Sequence, residues 1–160
     1  AAVAKFAAAG KPSRKKDLGL MAMTYGNVYV AQVAMGSNMS HTVKAFKEAA
    51  EHQGPSLIIA YTHCIAHGID MKQGLEIQDQ AVESGFWPLF RYNPNVAEGA
   101  NPFTLDSRKM DIEQLEDFMY RQNRFNVLRK SDPDRAKMLS DLIHEDVMDR
   151  WQEYQRLAEI

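Results

Sequence analysis

Apolar residues change their period several times along the chain, and each change marks an element. The run Val28-Tyr29-Val30-Ala31-Gln32-Val33-Ala34 is β-branched and nearly continuous in apolar residues, which predicts a strand buried on both faces of a parallel sheet. Leu57-Ile58-Ile59-Ala60-Tyr61 repeats the pattern after the break at Gly54-Pro55. Between the two, Gly36-Ser37-Asn38 reads as a loop. Ser40 then caps a helix that turns Val43, Phe46 and Ala50 inward and leaves Lys44, Lys47, Glu48 and Glu51 to water. Strand, helix and strand form a βαβ unit with parallel strands and a right-handed crossover.

Helical spacing governs most of the remainder. A helix is predicted over 75–84, with Leu75, Gln78, Ala81 and Val82 along one side. The stretch Phe86-Trp87-Pro88-Leu89-Phe90-Arg91-Tyr92 reads as a third strand, with Pro88 near its start or at an edge. Residues 93–109, rich in Pro, Gly and Asn, read as an irregular connection anchored by Phe103 and Leu105. Asp111 caps a helix carrying Ile112, Leu115, Phe118 and Met119, and Gln114 completes a capping-box spacing. A further helix covers 123–131 through Phe125 and Leu128. Asp132 and Pro133 open the last helix, whose Ala136, Leu139, Ile143, Val147, Trp151, Tyr154 and Leu157 step by three or four into one apolar stripe. At the other end, alanine content over 1–9 predicts a helix stopped by Gly10. A basic loop follows over 11–16, and then a short helix capped by Asp17, running through Leu18, Leu20, Met21 and Met23 to about Tyr25, with Gly26 after its last turn. The fold class is α/β, a parallel βαβ core followed by a mainly helical C-terminal extension.

Composition narrows the function more than the fold. With 160 residues, 45% hydrophobic and 25% charged, the chain has ordinary globular content and one expected domain, which excludes disordered, collagen-like and disulfide-scaffold classes. Nineteen Lys and Arg against twenty-one Asp and Glu give a net charge of −2, without the basic excess of a nucleic-acid binder. No run approaches the roughly 20 apolar residues of a membrane helix. The single cysteine allows no internal disulfide, so a soluble cytoplasmic protein is expected. The chain opens Ala1-Ala2-Val3-Ala4 without Met or a basic leader and is expected to be part of a longer chain.

Cys64 is the leading candidate for chemistry, because it follows the strand at 57–61, and the carboxyl ends of parallel strands face the crevice where α/β sheets bind ligands. The bland alternative is a small buried hydrophobe. His63, Cys64 and His67 lack a fourth ligand and a general-base Glu, so they do not make a zinc motif, and the histidines read as polar loop residues. The basic loop at 11–16 could hold a phosphate, but an isolated basic loop on an acidic chain is usually just solvated. Gly36 sits where a strand feeds a helix, yet no glycine-rich nucleotide fingerprint surrounds it. The nine methionines read as core filler. No Ser-His-Asp grouping is assignable from the sequence.

Several long strings, in order, resemble the C-terminal region of the pyruvate:ferredoxin (or flavodoxin) oxidoreductases. They are Val3-Ala4-Lys5-Phe6-Ala7-Ala8-Ala9-Gly10-Lys11 with Lys15-Lys16-Asp17-Leu18, Met23-Thr24-Tyr25-Gly26 leading to Val28-Tyr29-Val30-Ala31, and Gly54-Pro55-Ser56-Leu57-Ile58-Ile59-Ala60-Tyr61 leading to Cys64. Gly85-Phe86-Trp87-Pro88-Leu89-Phe90-Arg91-Tyr92-Asn93-Pro94, Asn101-Pro102-Phe103, Leu105-Asp106-Ser107 and Gln122-Asn123-Arg124-Phe125 continue it.

The resemblance implies an iron-sulfur enzyme of the anaerobic cytoplasm, homodimeric as a whole. Such an enzyme decarboxylates pyruvate on thiamine diphosphate with Mg2+, passes electrons through three 4Fe-4S clusters to ferredoxin or flavodoxin, and gives the acetyl group to coenzyme A. Residues 1–92 would be the second half of the thiamine diphosphate-binding domain, and 93–160 an irregular connection with the helical extension. Cys64 would be the fourth cysteine ligand of the cluster nearest thiamine, consistent with thiolate ligation of such clusters. The family's Gly-Asp-Gly, Ser-Asn-Thr-Gly-Gly-Gln and Cys-x-x-Cys motifs do not occur in these 160 residues, so no catalytic or thiamine-binding residue is assigned. The isolated chain is expected to hold no cofactor and to be inactive, with an incomplete sheet whose bare apolar edge favours association. The rival reading is a stand-alone interaction module that binds a partner through the long helix from Pro133 to Leu157.

Overall fold

The strand β3 (Tyr29–Val33) is buried at every position, as its unbroken apolar run requires. In the computed structural model, which describes residues 2–4 and 7–160, β3 pairs in parallel with β4 (Ser56–Ala60). The helix between them, α2 (Met39–Glu51), completes the expected βαβ unit. The other edge of β3 pairs antiparallel with β5 (Phe90–Tyr92), and β5 with β6 (Phe103–Leu105). The sheet is therefore mixed, in the order β4-β3-β5-β6. Pro88 lies two residues before β5, buried, where its missing N–H breaks no ladder.

Two layers cover this sheet. On one face α2 lays His41 and Ala45 over Tyr29, Ala31 and Val33. On the other, Val30, Phe90 and Phe103 pack against Ala22 of α1 (Leu18–Met23) and Tyr154 of α6 (Pro133–Ala158). The largest core joins α6 to α3 (Gly74–Glu83), α4 (Gln114–Tyr120) and α5 (Asn123–Ser131). The predicted stripe of α6 is inward from Ala136 to Tyr154, with Leu157 half-buried. Because that stripe is spent on the chain's own core, the helix offers no apolar face to a partner, and the interaction-module reading loses its motif.

Several local expectations give way to tertiary contacts. Within 1–9, residues 2–4 and 7–9 are not helical: β1 (Ala2–Ala4) and β2 (Ala7–Lys11) form an antiparallel hairpin. Ala1, Lys5 and Phe6 lie outside the described residues. Alanine's helix preference is worth only a few tenths of a kcal/mol per residue over ordinary residues. Against it, Arg124 donates to the Val3 carbonyl at 3.3 Å, and Arg135 to those of Ala9 and Gly10. Gly10 is thus a strand residue rather than a helix stop. Its φ is +79°, and a Cβ there would fall 2.0 Å from the Leu139 side chain.

The helix α2 is capped by Asn38, whose side chain accepts from the His41 amide, so Ser40 lies inside the helix. That register turns Val43, Phe46 and Ala50 outward, contrary to the sequence reading, and brings Glu48 inward. Leu75 of α3 is likewise exposed, while Ile77 takes the inward place. Asp111 forms a turn before α4 rather than its cap, accepting from the Glu113 amide and the Gln114 side chain. Phe103 and Leu105 belong to β6 rather than to an irregular connection. The strand β4 is only half-buried, since no described strand pairs with its outer edge.

The hairpin makes a sharp prediction. At positive φ against the Leu139 side chain, Gly10→Ala is expected to destabilise by more than about 1 kcal/mol. Urea unfolding followed by circular dichroism reads this as a lower midpoint. An unchanged or raised midpoint would contradict the hairpin.

Candidate functional site around Cys64

The β3–β4 pairing runs one residue past β4, where the Tyr61 amide donates to the Val33 carbonyl at 2.9 Å. The Trp87 indole N–H donates to the same carbonyl at 3.0 Å, and the Tyr61 and Trp87 rings meet edge to face at 5.2 Å. This clamp fixes where the chain leaves the sheet. Three residues later Cys64 is the cap of a 3-10 turn, Ile65–His67, and is exposed. Its Sγ accepts from the Ala66 amide at 3.4 Å. The site reading therefore outweighs the buried-hydrophobe reading on exposure alone.

The neighbouring histidines are structural. The His63 Nε2–H donates to the Gly74 carbonyl at 2.9 Å, while Nδ1 of His67 accepts from the Cys64 amide at 3.3 Å. Partial burial, then the charges of Arg124, His63 and Lys15, push the His67 pKa down to about 4, so the ring is neutral at neutral pH and fit to accept. No group of three or more His, Cys, Asp or Glu side chains among the described residues could hold a metal. Cys64 fits an iron-sulfur cluster as one ligand, through an accessible sulfur with an amide hydrogen bond, and the remaining thiolates must come from elsewhere.

The turn's geometry depends on α5. Gly68 closes the turn at φ +65°, and a Cβ there would lie 2.6 Å from Asn123. Its carbonyl accepts from the Asn123 amide at 3.0 Å, so the first residue of α5 seats directly on the Cys64 turn. The adjacent Arg124 bonds the Gln122 side chain at 2.9 Å and stacks on Phe125. It makes no ion pair among the described residues.

A second polar cluster escaped the sequence reading. Arg91 of β5 bonds Glu48 at 2.7 Å and Asp106 at 2.8 Å; Asp106 also meets His41 Nε2 at 2.9 Å, and the Tyr29 hydroxyl donates to Glu48 at 2.8 Å. The only hint in the sequence is His41 four residues before Ala45 on the face that turns inward. No serine or thiol approaches the His41–Asp106 pair in these bonds, and the network clamps α2 to the sheet. Burial pushes the Asp106 carboxyl up, but the bonds from His41 and Arg91 outweigh it and hold the pKa below the usual range.

Over nearly its whole length the chain is similar to one segment of much larger oxidoreductases. It is 57% identical over 159 residues to the pyruvate-flavodoxin oxidoreductase of Nostoc sp., which covers 99% of this chain and 13% of that protein. Identity is 50% over 159 residues with the pyruvate:ferredoxin oxidoreductase of Moorella thermoacetica, covering 99% of the chain and 14% of that protein. With the mitochondrial pyruvate dehydrogenase (NADP+) of Euglena gracilis it is 44% over 162 residues, covering 99% and 9%. By sequence the chain is the counterpart of a small part, 13–14%, of the pyruvate-flavodoxin and pyruvate:ferredoxin oxidoreductases it matches. No family model matches the chain. No helix among the described residues is long and apolar enough to cross a membrane.

The clamp on α2 has a signed pH dependence. With its folded pKa depressed, Asp106 stabilises the fold above the unfolded value of about 3.9 and loses that contribution as pH falls through the folded value. Asp106→Asn, which leaves Arg91 one carboxylate short, is expected to cost about 3 kcal/mol at pH 7. The gap to the wild type in urea unfolding should narrow below about pH 4. A gap undiminished at lower pH would contradict the clamp.

Proposed function

We propose that the chain is the part of a pyruvate-oxidising iron-sulfur oxidoreductase that supplies Cys64 as one thiolate ligand of a 4Fe-4S cluster. The observation that carries this is the placement of the only cysteine, exposed at the carboxyl end of β4 with an amide bonded to its sulfur. The whole enzyme would decarboxylate pyruvate oxidatively to acetyl-CoA and CO2 with thiamine diphosphate and Mg2+. Residues 1–92 would form the second half of the thiamine diphosphate-binding domain and 93–160 its extension. The cluster, when bound, supplies one-electron transfer.

The relatives argue for a role on the pyruvate side of the reaction. Their names give flavodoxin, ferredoxin and NADP+, yet all keep this segment at 44–57% identity. A segment shared across different acceptors serves the step they have in common. In that step Cys64 binds iron, the Ala66 amide orients the sulfur, and Gly68 with Asn123 fixes the turn that presents it. The other thiolates, the thiamine and coenzyme A contacts, and the docking of ferredoxin or flavodoxin belong to the rest of the parent chain, a cytoplasmic homodimer in this reading. Alone, the 160 residues are not expected to catalyse.

Cys64→Ser in the whole oxidoreductase tests the assignment. A hydroxyl is a hard, poorly ionised replacement for a thiolate, while the side-chain volume barely changes and the site is exposed. The variant is expected to fold normally by circular dichroism but to lose or alter one cluster, read as iron content and as low-temperature EPR of the reduced protein. A full cluster complement with normal acceptor reduction would refute the ligand role.

A further inference from the structure

Arg124 brings to the Cys64 turn a positive charge that no carboxylate among the described residues pairs with. It directly follows Asn123, whose amide donates to the Gly68 carbonyl at 3.0 Å and seats α5 on that turn. Its bonds among the described residues all go to neutral groups. The Nε–H donates to the Gln122 side chain at 2.9 Å, an Nη1–H donates to the Val3 carbonyl at 3.3 Å, and the guanidinium lies 4.7 Å from the centre of the Phe125 ring. Arg91, by contrast, is held between Glu48 at 2.7 Å and Asp106 at 2.8 Å.

The surroundings of Arg124 are half-buried and carry no compensating anion. Burial lowers its pKa, and the opposing pull comes from the phenol of Tyr61, not from an acid. That phenol oxygen is itself buried without a hydrogen-bond partner. The charge also reaches the turn. After burial, it is the strongest influence lowering the pKa of His67, whose ring accepts from the Cys64 amide. Burial and then the same charge lower the pKa of Lys15. A guanidinium stays protonated where a lysine gives up its proton. A partly desolvated cation that finds only neutral partners costs stability unless an anion joins it.

We propose that Arg124 is the counter-charge of the iron-sulfur cluster held by Cys64, raising its reduction potential by charge alone and without ligating iron. The inference rests on the ligand reading of Cys64. A cluster bound by thiolates is anionic and takes up a further negative charge on reduction, so a fixed cation beside it favours the reduced form; net charge is among the factors that set such potentials.

Redox titration of the whole oxidoreductase, followed by low-temperature EPR, tests this in three variants. The relevant signal is first identified as the one that Cys64→Ser removes or alters. Arg124→Gln is expected to keep the iron content and that signal but to weaken reduction about tenfold, a midpoint lower by about 59 mV for one electron. Gln122→Glu, nearly unchanged in shape, sets a carboxylate against the Arg124 Nε and should lower the midpoint in the same direction. Arg124→Lys retains a charge and should stay closer to the wild type. The counter-charge role is overturned, with the ligand reading left standing, if neither Arg124→Gln nor Gln122→Glu lowers the midpoint of the Cys64-dependent signal. It is overturned likewise if Arg124→Lys shifts the midpoint as far as Arg124→Gln, or if Arg124→Gln and Gln122→Glu both lose the iron, which marks a structural role. A Cys64→Ser enzyme with every signal unchanged removes the ligand reading itself, and this inference with it.

Discussion

The two-sided pairing of β3 is the constraint on which the rest of the structure depends. Its backbone is hydrogen-bonded to β4 on one edge and β5 on the other, and its side chains are buried on both faces. Full burial of residues such as Val30 and Val33 is worth about 1.5–3 kcal/mol each, so the strand cannot shift register without exposing what holds it. The parallel partner inherits that register. It is this inheritance that carries the chain past Tyr61 to an outlet where Cys64 faces solvent, and that lets Trp87 and Tyr61 share the end of β3.

The helical extension is bound into the same arrangement. Tyr154 of α6 sits between Phe90 and Phe103 at ring distances of 5.0 and 5.8 Å, while Leu139 further along the same helix fills the space that only glycine leaves at position 10. One helix thus holds the N-terminal hairpin and the sheet. The Cys64 turn is tied in through α5, so a lone thiol in a loop is anchored to two layers of the fold.

What was legible in the sequence follows from how local each signal is. The stripe of α6, the cap Asp132 with Pro133, and the bounds of α5 at 123–131 are set by near neighbours, and the structure repeats them. The hairpin and the outward face of α2 are set by distant partners, among them Arg135 on Ala9, 126 residues away, and Arg91 on Glu48, 43 away, while β6 is set by its pairing with β5. Propensity cannot see those partners. At the site, the position of Cys64 after a parallel strand was readable, and the resemblance added the ligand role. The neutral, backbone-bound state of His67 and the unpaired charge of Arg124 needed three dimensions.

Taken together, the fold presents one sulfur and leaves its companions to the remainder of a larger enzyme. The most direct measurement is an anomalous difference map at the iron edge from crystals of the whole oxidoreductase. The account predicts iron within bonding distance of the Cys64 sulfur, beyond the carboxyl end of β4. Iron clusters located only elsewhere, with Cys64 facing solvent unligated, would contradict it.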